Sequence, residues 1–319
     1  LHEDYYALWA DRTAFADVEK LLDSTGGDSE KIAAAMGHDE NKIADFQSRR
    51  HKFEAIRRSE SFLSAVRQAE IDAERSIELA GRPEKIPPAG ALSLVRNDPL
   101  MQGPRLFAQH CASCHAHMEP SMKGAEQVFA KSSAANLFEF GQESWVRGLL
   151  DPKQVAGDAY FGNTAHSEGD MVSFVSDDFT DEEVWEQSDK EAVIFALVAE
   201  AGLLKDAGKE KVVKRGMDLI ADTDRCGSCH PYRKNETEFG YAPDLNGWGS
   251  TEWLVGIITD PTHQRFYPDT NDRMPRFGIA SEGGLPALTS EQIKLISLWL
   301  RGAWYRPAVM KKVELVQDH

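Results

Sequence analysis

Two five-residue stretches decide the fold: CASCH at residues 111–115 and CGSCH at residues 226–230. Together they contain all four cysteines of the chain, Cys111, Cys114, Cys226 and Cys229. A histidine, His115 or His230, follows each pair directly, although the 319 residues include only 10 histidines. The repeated pattern therefore indicates a chemical requirement for two thiols and one imidazole at this spacing.

Three kinds of site use paired cysteines. A zinc ribbon has its two pairs about 15–20 residues apart, whereas more than a hundred residues separate these. A thioredoxin-like redox pair lies between a strand and a helix and does not need the histidine. Covalent haem attachment uses every atom of the pattern, because the thiols bind the haem vinyl groups and the histidine binds the iron. The sequence therefore predicts two covalent haem c groups, with His115 and His230 as proximal iron ligands.

Each iron of an electron carrier also needs a sixth ligand, and methionine favours the ferrous state. Met171 lies 56 residues after His115 in the stretch DMVSF, and Met274 lies 44 residues after His230 in DRMPRF. The shared context favours both methionines as ligands over ordinary core packing. For the first iron, four further residues stay open as rivals: Met118, Met122, His117 and His166.

The stretches around the motifs form an internal repeat. LFEFGQESWVRGLLDP at residues 137–152 matches LNGWGSTEWLVGIITDP at residues 245–261, which places Trp145 and Trp253 108 positions apart. A short helical segment precedes each motif, and a capped amphipathic helix follows each methionine. Ser188 and Thr289 are the predicted N-caps. Duplication predicts two similar domains, at residues 99–206 and 207–319.

Residues 1–98 contain no such motif and form a predicted helical N-terminal segment. The apolar spacing predicts a long helix from Asn41 to Ala80, with Phe46, Phe53 and Ile77 among its apolar positions. Prolines and glycines at residues 81–90 break this helix and form a connector to the first motif.

The formal net charge is −16, which argues against nucleic-acid binding because that depends on Lys and Arg contacts to phosphates. Residues 1–98, 99–206 and 207–319 carry net charges of −5, −11 and 0. The acidic middle segment suits a basic partner, although solubility explains it equally well.

No apolar stretch reaches the length of a membrane span. The chain starts at Leu1 without a visible targeting signal, so we expect either a removed start or a piece of a longer protein.

Each half resembles a small class I cytochrome c, which implies an all-α fold of two tandem cytochrome c domains behind the helical N-terminal segment. In that family a loop proline accepts the ring N–H of the proximal histidine through its carbonyl. Pro243 matches it for His230, whereas Ala135 takes this place in the first half. We therefore expect His115 to lack the matching partner and the two haems to have unequal potentials. Trp145, Trp248 and Trp253 are candidates to pack on haem, with core packing as the alternative.

IPPAGA at residues 86–91, RNDP at residues 96–99 and GPRLF at residues 103–107 lead into the first motif. With them, the stretch from about residue 60 to residue 306 also resembles the cytochrome c tail that is fused to cytochrome b in planctomycete-type quinol–cytochrome c reductases. This resemblance implies cytochrome b and a Rieske iron–sulfur protein as partners in one complex, and a soluble carrier or terminal oxidase as acceptor. Covalent haem implies a periplasmic location. The resemblance further implies membrane anchoring through a segment outside this chain.

Three functions follow from these observations. The leading one is an electron relay without catalytic residues. The second is a dihaem redox enzyme, of the peroxidase or thiosulfate-oxidising type, in which one iron has an open position beside acid–base groups. The third is an electron-accepting subunit of another dehydrogenase or of a terminal oxidase.

Overall fold

The structure is a computed structural model that describes residues 15–235, 237–281 and 283–306. Residues 1–14 and 307–319, the outer ends of the first and third predicted segments, lie outside the described residues. The described chain consists of helices and turns without a named strand, which confirms the predicted all-α class. It forms two compact units, Leu1–Glu78 and Leu79–His319. The predicted boundaries at residues 98 and 206 stay predictions.

The first unit is a small helical cluster. Helix α1 (Ala16–Thr25) ends at Gly26, whose φ of 62° is left-handed, and the Asp28 carboxylate caps α2 (Ser29–Ala35). Helix α3 (Glu40–Ala80) confirms the predicted long helix. Phe46 and Phe53 are buried in a core with side chains from α1 and α2. Ile77, another apolar position of this helix, is 74% exposed.

The second unit begins with α4 (Ala91–Arg96) and α5 (Pro99–His110), the helix that leads into the first motif. Pro99 occupies the first turn of α5, where no backbone donor is needed, and Asp98 caps the helix. Helices α6 (Ala125–Phe129), α7 (Glu143–Leu149) and α8 (Asp170–Ser176) follow, and α9 (Gln187–Glu200) closes the first half.

The second half repeats part of this order, with three α-helices among the described residues. Helix α10 (Glu210–Ala221) leads into the second motif, α11 (Thr251–Thr259) follows it, and α12 (Ser290–Leu300) closes the half. Thr289 and Gln292 form the predicted capping box of α12. The predicted cap of α9 is wrong: α9 begins at Gln187, and its N-cap Glu186 makes no side-chain cap. Ser188 donates to the Glu186 carboxylate instead.

The helices of the second unit form two principal pairs. Helix α5 packs along α12, and α10 packs along α9. Within the described ranges, no helix has both the length and the apolar character that a membrane crossing requires.

Candidate haem-binding sites

Each motif forms one tight turn at the end of the helix or loop that precedes it. In the first motif, the backbone N–H groups of Cys114 and His115 donate to the Cys111 carbonyl at 3.0 and 2.9 Å. In the second, Cys229 and His230 donate to the Cys226 carbonyl at 3.3 and 3.0 Å. The shared turn brings two thiols and an imidazole to one short piece of backbone. All four cysteines are half-buried and free of disulfides.

Both motif histidines are oriented by a backbone carbonyl. Nδ1 of His115 lies 2.8 Å from the Ala135 carbonyl oxygen, and Nδ1 of His230 lies 2.8 Å from that of Pro243. A carbonyl only accepts, so each Nδ1 carries the proton and the Nε2 lone pair is free for a metal. Burial lowers the pKa of both histidines and favours the neutral, ligating form.

The structure corrects the expectation that His115 lacks the matching partner. Ala135 takes the place of Pro243 and accepts the same bond at the same length. The acceptor is a main-chain oxygen, so the identity of the side chain does not decide whether the bond forms. A missing carbonyl partner of His115 therefore no longer explains unequal haem potentials. That the two haems differ in potential stays a prediction.

One thiol of each pair is less acidic than a free cysteine. Burial raises the pKa of Cys111 to about 11 and that of Cys226 to about 12, whereas redox-active pairs have a lowered thiol pKa. Among the residues that the structure describes, no three His, Cys, Asp or Glu side chains converge as a metal-binding group. Two thiols beside one neutral imidazole fit covalent haem.

The three candidate tryptophans lie together in one buried cluster. The indole N–H of Trp145 donates to the Asn136 carbonyl at 2.8 Å, and that of Trp253 donates to the Asp244 carbonyl at 2.9 Å. The Trp248 ring centroid lies 5.9 Å from that of Trp145 and 6.2 Å from that of Trp253. Contact of these rings with haem stays a prediction.

The two candidate methionines are half-buried, each against an apolar cluster. Met171 lies in the first turn of α8, and Met274 lies in an irregular loop where Asn271 donates to its carbonyl at 3.0 Å. Met171 packs against the cluster around Trp185 and Val193, whereas Met274 packs against the cluster around Phe277 and Ile296. Their role as iron ligands stays a prediction.

The rival ligands occupy other surroundings. The His117 ring stacks on Trp299 with centroids 4.1 Å apart, and burial lowers the pKa of His117. Met118 packs against the small cluster of Ala116, Ala125 and Phe129. Met122 is 54% exposed, and the His166 ring lies 5.8 Å from that of Tyr267.

Glu200, which no sequence pattern singled out, holds the loop after the second motif. Its carboxylate accepts from the Tyr232 hydroxyl at 2.6 Å and from the Gly247 N–H at 2.7 Å. These bonds connect the last residue of α9 to the loop just beyond His230. The available signal was an acidic residue at the end of an otherwise apolar helical run, which is uncommon without a partner.

Comparison with protein families identifies the class of this domain. Residues 98–187 match the family model described as cytochrome c oxidase, cbb3-type, subunit III. The match covers the first motif and identifies a c-type cytochrome domain, which implies covalent haem c and electron transfer. No curated protein and no solved structure gives a significant match to the chain.

Proposed function

We propose that the chain binds two haem c groups and relays electrons between partner proteins without a substrate reaction of its own. The observation that carries this proposal is the duplicate geometry: each CxxCH turn has half-buried thiols and a histidine held at 2.8 Å by a backbone carbonyl. The family match covers the first motif, and the likeness of the second motif to the first extends the proposal to a second haem.

A short route of contacts joins the two histidines. The acceptor of His115 is next to Asn136, which binds Trp145, and the acceptor of His230 is next to Asp244, which binds Trp253. The Trp248 ring lies between the other two indoles, within about 6 Å of each by centroid distance. This buried aromatic bridge supports electron exchange between the two proposed haems.

When bound, haem supplies a one-electron couple at its iron. The residues of this chain hold it and tune it. Cys111, Cys114, Cys226 and Cys229 would attach the two groups. The carbonyls of Ala135 and Pro243 fix the orientation and the protonated nitrogen of the histidine rings. Met171 and Met274, each packed against an apolar cluster, would supply the sixth ligands.

We further propose that this relay is the cytochrome c module of a quinol–cytochrome c reductase. Cytochrome b and a Rieske iron–sulfur protein would be its partners, and a soluble carrier or oxidase its acceptor. Such a module would work in the periplasm, anchored through a segment outside this chain. A second candidate is a subunit of a terminal oxidase, which the name of the matched family favours.

The haem count tests the relay. The chain, produced with a haem-attachment system, is denatured and weighed by mass spectrometry, and we expect the added mass of two haem groups. The paired variants C111S/C114S and C226S/C229S should each retain one. A single haem in the parent protein would contradict the proposal.

Carbon monoxide separates the relay from a dihaem enzyme. Two closed six-coordinate irons bind carbon monoxide poorly in the reduced parent protein. An iron that takes it readily would favour the peroxidase or thiosulfate-oxidising alternative.

The coding sequence upstream of Leu1 separates the two complexes: membrane helices with paired histidines support the cytochrome b fusion, and a signal peptide directly upstream contradicts it.

A further inference from the structure

The two principal helix pairs connect each motif to the half of the chain that does not contain it. Gly103 of α5 lies so close to Trp299 of α12 that a Cβ there would overlap the indole side chain. Gly216 of α10 lies directly against the backbone carbonyl of Ala192 in α9. The helix that leads into the first motif is therefore packed on the closing helix of the second half, and the reverse holds for the second motif.

The residues around the first motif contact the second half. The His110 ring, next to Cys111, lies 6.3 Å from the ring of Phe277, which is three residues after Met274. The His117 ring, two residues after His115, stacks on Trp299. Cys111 and Met274 pack against the same apolar cluster, which is formed by Leu106, Phe107, Ile258, Phe277, Leu288, Ile293, Ile296 and Leu300.

The residues around the second motif contact the first half in the same way. Tyr232, two residues after His230, donates to Glu200 at the end of α9. The Tyr241 hydroxyl, in the loop that leads to Pro243, donates to the carboxylate of Asp170, the residue before Met171. Cys226 and Met171 pack against the same apolar cluster, which includes Trp185 and Val193 of the first half and Tyr232 and Trp253 of the second.

An ion pair also connects the helix before the second motif to the closing helix of the first half. Arg215 of α10 contacts Asp189 of α9 at 2.5 Å, and the Asp189 side chain is only 4% exposed. The Asp189 carboxylate would be costly to bury without a basic partner, and the partly exposed guanidinium of Arg215 supplies one across the two helices.

We infer that the sixth ligands are exchanged between the halves: Met274 serves the iron held by His115, and Met171 serves the iron held by His230. The inference rests on the proposed binding of two haems and reverses the pairing that sequence order suggests. Each haem site then consists of a motif from one half and a methionine loop with its closing helix from the other. Neither residues 99–206 nor residues 207–319 contain a complete site.

Variants that keep one haem test the pairing in the full chain. C226S/C229S keeps the haem at His115. In that background we expect M274A to open the reduced iron to carbon monoxide and to abolish the thioether-to-iron charge-transfer band of the oxidised protein. M171A in the same background should bind carbon monoxide no better than its single-haem parent. In C111S/C114S, which keeps the haem at His230, M171A should open the iron to carbon monoxide and M274A should not.

Each outcome decides between pairings. The opposite pattern would establish sequential ligation and overturn the inference, while the two-haem relay would stand. Carbon monoxide binding unchanged by both methionine variants would also overturn it, since neither thioether would then be a ligand. A haem count of one in the parent would instead remove the proposed function.

A second measurement needs no variant, in case the single-haem proteins do not fold. In the reduced two-haem protein, nuclear Overhauser contacts connect the methyl group of a bound methionine to its haem, and that haem to its cysteine thioethers. We expect the Met274 methyl group to share a haem with Cys111, and the Met171 methyl group to share one with Cys226. Contacts of Met274 with the Cys226-linked haem would overturn the inference.

Discussion

A backbone carbonyl fixes each motif histidine, and this oxygen lies where the loop path puts it. A second hydrogen bond holds the loop at Ala135, because the next residue, Asn136, donates its backbone N–H to the Ala159 carbonyl at 2.9 Å. The loop at Pro243 is held in the same way, because the backbone N–H of Asp244 donates to the Arg265 carbonyl at 2.8 Å. A sequence shows which side chain follows a motif but not the path of the main chain, and for this reason the partner of His115 could not be predicted.

Replacing Pro243 by alanine should therefore leave its carbonyl in place. We expect the P243A variant to keep both haem potentials within about 60 mV of the parent values, which is a tenfold change in a one-electron equilibrium. Ala135 provides the precedent in the same chain, with an equal bond length. Potentiometric titration followed by absorption measures both potentials.

The exposed proline Pro88 provides the control, because P88A also removes a ring but lies in the connector at residues 81–90, outside both loops that contain the acceptor carbonyls. A fall of one potential by much more than 60 mV in P243A alone would show that the proline ring itself positions the carbonyl.

At the scale of elements, the sequence predicts which helices exist better than it predicts which helices meet. The spacing of apolar residues located α3 and α12, and the Thr289–Gln292 capping box has the predicted form. Helix pairing depends on surface shape, and two glycines without side chains decide it here. Gly103 admits Trp299, and Gly216 admits the main chain of α9. The sequence marks each glycine but does not identify its neighbour.

Adding one methyl group at either glycine should destabilise the second unit. We expect G103A and G216A each to lower the free energy of unfolding by about 1–3 kcal/mol, as overpacking of a close contact does. The obstacle at Gly216 is the backbone carbonyl of Ala192, which cannot rotate away. Denaturant unfolding of the haem-loaded protein, followed by circular dichroism, measures the change.

G284A is the matched control, because the nearest atom to a Cβ there is the Ser281 hydroxyl oxygen at 3.1 Å, at the end of a short side chain that can move. We expect its unfolding free energy to stay close to the parent value. If G103A and G216A matched G284A, the close helix contacts would not exist in solution.

At the scale of the whole molecule, the uneven charge is carried partly by one exposed segment. The middle third of the sequence has seven basic and 18 acidic residues. Six exposed acidic residues follow α8 within ten positions: Asp177, Asp178, Asp181, Glu182, Glu183 and Glu186. This acidic segment begins six residues after Met171. Charges of one sign beside a redox site speed the approach of an oppositely charged partner.

Electron transfer to a basic partner protein should therefore slow as salt is added, because the Debye length falls to about 8 Å at 0.15 M ionic strength. We expect the variant D181N/E182Q/E183Q/E186Q to react more slowly at low salt and to lose most of that salt dependence. Stopped-flow absorption at increasing ionic strength measures both effects. The variant E30Q/E70Q/E74Q/E84Q changes the net charge equally in residues 1–98, all at exposed positions. If the two variants lost salt dependence equally, net charge alone would govern the rate. If the parent rate did not change with salt, the acidic segment would not act as an electrostatic docking site.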